Sequence, residues 1–225
     1  MPQISERLAV IASLAKKGGS VCDVGTDHGY LPAFLCLSGE YSRITATDIN
    51  EKPLLTAKKN LEKSGIKNVN LILCDGLSGV ERPQADTVII AGMGGEVISG
   101  IISRTPFLKD KTVNIILQPM TSADKLRIYL YENGFEILKE IPVLENKKIY
   151  SVMQVRFSGE KIKADEVFAV IGKIDVKDSL GRLYIEKHHR IYSECVSSLK
   201  NVSGKEKEYL KCAEISNALK NILEE

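Results

Sequence analysis

Short, continuously apolar runs alternate with stretches of helical periodicity through the first two-thirds of the chain, and few folds accept that pattern. Ser20 to Val24, Arg43 to Thr47, Val69 to Leu73, Thr87 to Ile90 and Val113 to Leu117 read as strands. Between them, apolar positions recur at three- and four-residue steps over Glu51–Ser64, Glu96–Ser103 and Ser122–Asn133, with another helix starting near Leu31 and Pro32. A helix over Ile4–Lys17, ended by Gly18 and Gly19, precedes the first strand. Asn50 is placed to cap the helix beginning at Glu51. Strands that are apolar throughout, not alternating, are buried on both faces, so this order predicts an α/β fold with a parallel sheet covered by helices on each side.

The pattern changes after Gly134. Phe135–Val143 and Lys148–Phe157 read as an antiparallel hairpin across a polar turn, Leu144 to Lys147, closing an open doubly wound sheet. Past Ser158 and Gly159 only helical patterns remain: Ala164–Ile174, then Leu180–Asn201 and Lys205–Leu223. The latter two carry apolar stripes (Leu180, Tyr184, Ile191, Cys195, Leu199, Val202; Cys212, Ile215, Leu219, Ile222) and are joined by a tight turn. A doubly wound domain over 1–158 and a helical hairpin over 159–225 are therefore expected.

The 225 residues contain 31 Lys plus Arg against 29 Asp plus Glu, a formal net charge of +2, so nucleic-acid binding requires local basic patches. Candidates for phosphate contact are Lys16, Lys17, Lys58, Lys59, Lys109, Lys111, Lys147, Lys148, Lys187 and Arg190. No apolar run approaches the ~18 residues of a membrane-spanning helix. Residues Met1 to Arg7 lack the basic-then-apolar layout of a leader. None of Cys22, Cys36, Cys74, Cys195 and Cys212 stands in a C-x-x-C spacing, so all five are read as unpaired small hydrophobes of a cytoplasmic protein.

Ligands in such sheets bind beyond the carboxyl ends of the strands, near the switch in strand order. The first strand runs into Asp23-Val24-Gly25-Thr26-Asp27-His28-Gly29-Tyr30. This is D-x-G-x-x-x-G, not the G-x-G-x-x-G of a dinucleotide site, and its leading carboxylate repels a pyrophosphate while attracting an ammonium or sulfonium. Charge therefore favours S-adenosylmethionine over NAD. Asp48, closing the second strand, suits ribose hydroxyls, and Asp75 with Gly76, closing the third, suits an adenine amino group. Each Asp taken singly also suits a helix N-cap. Ala91-Gly92-Met93-Gly94-Gly95 after the fourth strand implies close backbone approach to cofactor or a flat substrate. Gln118, held extended by Pro119, carries an amide suited to a base edge.

On Ser5-Glu6-Arg7-Leu8, Asp23-Val24-Gly25-Thr26-Asp27-His28-Gly29-Tyr30-Leu31-Pro32, Ala91-Gly92-Met93-Gly94-Gly95 and Gln118-Pro119, the chain resembles the TrmK-like tRNA methyltransferases. These methylate N1 of adenine 22 in bacterial tRNA with S-adenosylmethionine. The resemblance implies a Rossmann-like class I methyltransferase sheet. Asp23, Gly25, Thr26, Gly29, Asp48, Ile49, Asp75, Gly76, Ala91, Gly92, Met93 and Gly94 would line the cofactor, with no metal. Asp27, His28, Tyr30 and Gln118 would face the substrate base, and tRNA would be the partner. The competing expectations are a small-molecule methyltransferase, an NAD-dependent oxidoreductase and a non-catalytic RNA-binding protein.

Overall fold

The computed structural model describes residues 4–225; Met1, Pro2 and Gln3, part of the stretch read for a leader, lie outside the described residues. Seven strands form one sheet: β1 Ser20–Val24, β2 Arg43–Asp48, β3 Val69–Leu73, β4 Thr87–Gly94, β5 Asn114–Thr121, β6 Phe135–Glu145 and β7 Lys148–Phe157. Their order is β3-β2-β1-β4-β5-β7-β6. The first five are parallel, and β7 runs antiparallel to both β5 and β6. Strand order reverses between β1 and β4, which opens a crevice at their carboxyl ends.

Helices α1 Glu6–Ser13, α2 Tyr30–Ser38 and α3 Glu51–Lys63 cover one face, and α4 Gly95–Ser103 and α5 Ala123–Glu132 the other. The two faces are filled by alternate residues of the same strands. Val21, Ile89 and Ile116 join one core with Ile11 and Leu35, whereas Cys22, Val24, Val88, Ile90, Ile115 and Leu117 join the other with Ile98 and Leu126. This is why the strands read as unbroken apolar runs.

Local signals account for most element ends. The Ser5 hydroxyl accepts from the Leu8 N–H, Asp165 from Phe168 and Asp178 from Gly181. Asn50 does begin α3, but its side chain makes no capping bond; its own N–H donates to Asp48 Oδ1 at 2.7 Å. The first helix stops at Ser13, short of Lys17. The hairpin turn is tighter than expected: Leu144 pairs Ile149 and Glu145 pairs Lys148, leaving only Asn146 and Lys147, both at positive φ. Two such residues match the right-handed strand twist, as in a type I′ turn.

The C-terminal segment forms α6 Glu166–Ile171, α7 Ser179–Leu199 and α8 Glu206–Glu224. Val170, Ile171, Ile185, Ile215 and Leu219 make a separate core among them. Ile191 and Val202, expected on the buried stripe of α7, are exposed, and Ile185 is buried instead. Two cysteines depart from the sequence expectation: Cys195 of α7 and Cys212 of α8 form a disulfide, with Cα atoms 6.3 Å apart. The antiparallel return of α8 brings them together, which no local spacing announces. Cys22, Cys36 and Cys74 remain free. Among the described residues no helix is long and apolar enough to cross a membrane.

Candidate active site

The carboxyl ends of β1, β2 and β3 are tied to one another. Gly25 and Thr26 donate their N–H groups to the Thr47 carbonyl at 2.8 and 2.9 Å, and the Thr47 hydroxyl donates to the Gly76 carbonyl at 2.9 Å. The Cys74 N–H donates to the Asp48 carbonyl at 3.0 Å. These bonds hold Asp23, Asp48 and Asp75 along one edge.

The three carboxylates sit in different surroundings. Asp23 is buried, and desolvation pushes its carboxyl up to about 6, opposed by the Thr26 hydroxyl and reinforced by the charge of Asp48. Asp48 accepts from the Asn50 N–H. Asp75 is exposed and pairs with Arg104 at 3.1 Å, a contact water largely screens. Ile49 and Leu73, apolar yet more than half exposed, flank these strand ends and offer flat contact to a base.

The glycine loop is clamped from α3: Asn60 Nδ2 donates to the His28 carbonyl at 2.9 Å, and the space beside Gly29 is closed by Ala57. Gly25 has a φ of +75°, and a Cβ there would fall 2.1 Å from the Met93 methyl. That loop and the glycine run of β4 therefore meet. Gly95, at the start of α4, has no space for a side chain because the Ser122 carbonyl lies 2.2 Å from where a Cβ would stand.

Asp27, His28 and Tyr30 form one exposed cluster. His28 Nε2 lies 3.2 Å from Asp27 Oδ1, and the His28 and Tyr30 rings stack with centroids 5.5 Å apart. They border an open cleft of about 310 Å³ shared with Asp23, Gly25, Thr26, Ala91 and Gly92. Of the residues expected at the site, Asp23, Gly25, Thr26, Asp27, His28, Tyr30, Ala91 and Gly92 line this cleft; Asp48, Ile49, Asp75 and Gly76 stand at the neighbouring strand ends outside its lining.

Gln118 is the exception. It is fully buried; its Oε1 accepts from Arg7 Nη1 at 2.7 Å and the Gly92 N–H at 3.2 Å, and its Nε2 donates to the Pro119 carbonyl at 2.9 Å. An amide so engaged holds the Gly92 loop and does not reach a base edge, which corrects its expected role. The other partner, Arg7, was given no role from sequence beyond its place in the Ser5–Leu8 string. Its Nε also donates to Glu145 at 2.9 Å, so it links α1, β5 and the end of β6 beside the cleft. Among the described residues no group of three or more His, Cys, Asp or Glu side chains is placed to hold a metal ion.

A doubly wound sheet with acidic strand ends around a glycine loop at the order switch defines a Rossmann-like methyltransferase, and residues 4–153 match the family model for a methyltransferase domain. The chain is 34% identical over 155 residues to the tRNA (adenine(22)-N(1))-methyltransferase of Bacillus subtilis, a match covering 67% of this chain and 64% of that one. The crystal structure of Streptococcus pneumoniae Sp1610, a candidate tRNA (m1A22) methyltransferase, superposes with a TM-score of 0.84 at 30% identity, covering 98% of this chain and 100% of the other. M. capricolum TrmK with S-adenosyl-homocysteine superposes with a TM-score of 0.80 at 25% identity, covering 98% of each chain. The chain belongs to the TrmK-like family of tRNA (adenine-22, N1) methyltransferases.

Proposed function

We propose that this protein transfers a methyl group from S-adenosylmethionine to N1 of adenine 22 in bacterial tRNA, acting in the cytoplasm. The observation that carries the reading is the buried Asp23 carboxylate beside Gly25, in line with Asp48 and Asp75 and opening onto the exposed Asp27–His28–Tyr30 cluster. The donor set fits the cofactor. Asp23 would face its cationic methionine end, Asp48 its ribose, and Asp75 with Gly76 its adenine between Ile49 and Leu73. The remaining backbone contacts would come from Thr26, Gly29, Ala91, Met93 and Gly94. When bound, the cofactor supplies a methyl group already activated by a sulfonium.

Adenine N1 carries its own lone pair, so the protein need not supply a strong base. Its main task is alignment. N1 is occupied in a Watson–Crick pair, so the nucleotide must be unpaired or turned out of the stack, at a cost of a few kcal/mol. Tyr30 and His28 supply an exposed stacked face for it, and Asp27 supplies an acceptor for the adenine N6 amino group. Gln118, held by Arg7, keeps the Gly92 N–H oriented at the cleft wall.

Labelled S-adenosylmethionine, unmodified bacterial tRNA and mass-spectrometric mapping test the proposal. N1-methyladenosine at position 22, lost when that adenine is replaced by guanine, is the expected result. Cofactor binding without incorporation into any tRNA would overturn tRNA as substrate and leave the small-molecule reading.

A further inference from the structure

Of the ten basic residues singled out in the sequence, only Lys147, Lys148, Lys187 and Arg190 are gathered by the fold. They line a trough of about 670 Å³ between the β6–β7 hairpin tip and α7, where Glu186 is the single carboxylate. A second cavity of about 240 Å³ adjoins it, sharing Met120, Thr121, Ile149, Tyr150 and Lys187 and reaching the Ser122 start of α5. Met120 also lines the cleft that holds Asp23 and Tyr30. Met120 therefore borders both the trough and the proposed methyl-transfer site.

We propose that this trough seats the RNA strand next to the methylated nucleotide, its phosphates on Lys147, Lys148, Lys187 and Arg190 and a neighbouring base against Tyr150. This rests on the tRNA reading above and adds where and how the RNA is held. Four cations against one carboxylate give the charge complementarity that a polyanion needs and that the whole chain, at +2, does not provide. Lys147 and Lys148 are free to reach outward because Lys147 sits in the turn itself, at a φ of 62°. Lys187 is half-buried, with Nζ donating to the Ile149 carbonyl at 3.2 Å, and burial beside Arg190 holds its pKa below the usual lysine value. A phosphate there would relieve both the desolvation and the repulsion. Tyr150 and the exposed Ile191 add the apolar contact on which an unpaired base stacks.

The trough separates from the catalytic cleft in its expected readouts. Lys147→Gln/Lys148→Gln and Lys187→Gln/Arg190→Gln should each raise KM for tRNA at least tenfold and leave the dissociation constant for S-adenosylmethionine, measured by calorimetry, within twofold. Combining all four should make the log–log salt dependence of tRNA binding shallower by about three, from four phosphate contacts at ~0.7–0.9 each. Arg156→Gln/Lys173→Gln, in a separate cavity at the far end of the β6–β7 hairpin from its turn, should change neither quantity. The turn pair is exposed, so it remains informative if the helix pair unfolds. Direct tRNA binding by filter retention is read alongside methylation. Unchanged tRNA affinity and salt slope in the turn pair and the quadruple variant would overturn the trough, whatever the wild type methylates. Lost binding in these variants, with no methylation by wild type, would retain the trough and discard the function proposed above.

Discussion

Replacing Arg127 with Met should destabilise the protein more than removing any surface charge, and the structure gives the size. Arg127 is fully buried on α5. Its guanidinium pairs with the buried carboxylate of Glu140 on β6 and donates to the Ala169 and Val170 carbonyls at 2.8 and 2.7 Å and to the Tyr184 hydroxyl at 2.9 Å. One side chain therefore ties α5, β6, α6 and α7 together. Breaking a buried pair by removing one partner costs about 3–5 kcal/mol, because the other charge stays behind without water. The two stranded carbonyls add roughly 1 kcal/mol or more each. A total near 6 kcal/mol, at about 2–4 °C per kcal/mol for a chain of this size, lowers Tm by about 12–24 °C. Glu140 keeps one donor, the Lys173 N–H at 3.1 Å, which places the expected value toward the lower end. Arg127→Met/Glu140→Leu removes the stranded charge but not the stranded carbonyls, so it should recover about half of the loss. Differential scanning calorimetry reads both variants. A Tm for Arg127→Met within 3 °C of wild type, or a double variant less stable than the single, would refute the reasoning.

Asp23, whose folded pKa is raised from 3.8 to about 6, favours the fold only when protonated: that contribution is full below about pH 4 and is lost as pH rises through 6. The displacement corresponds to about 3 kcal/mol, so cofactor-free Asp23→Asn should melt several degrees above wild type at pH 7.5 and level with it at pH 4, while binding S-adenosylmethionine at least tenfold more weakly. A Tm difference that does not change between pH 4 and 8 would exclude this. Arg7→Ala should lower kcat about 10- to 100-fold with cofactor affinity within twofold, and Arg7→Lys should restore part of it, since a lysine can still donate to Gln118; equal losses in both variants, or lost cofactor binding, would count against the positioning role. Under denaturing, non-reducing conditions the thiol count should be three, rising to five after reduction, and reduction should cost about 3 kcal/mol of stability for a loop of this length. Five thiols before reduction would disprove the Cys195–Cys212 bond.

Much of this was legible along the chain. The unbroken apolar runs predicted a sheet buried on both faces, and the alternation of Val21 with Cys22 and of Ile89 with Val88 and Ile90 between two cores is the reason. The glycine loop after Asp23 lies on the crevice between β1 and β4, because turn chemistry is a local property. Gln118 was misjudged because its amide is claimed by Arg7, 111 residues away, and sequence spacing carries no trace of that bond.

The sequence by itself determined the elements, the sheet's parallel character and the position of the glycine loops, all set by interactions within a few residues. Only the tertiary structure decided that β7 inserts between β5 and β6, that Arg127 is drawn into the interior and that Cys195 meets Cys212. It also decided that four of ten scattered cations share one trough. Each of those outcomes joins residues far apart in the chain, and such contacts are fixed by how whole faces pack and which buried polar groups find partners.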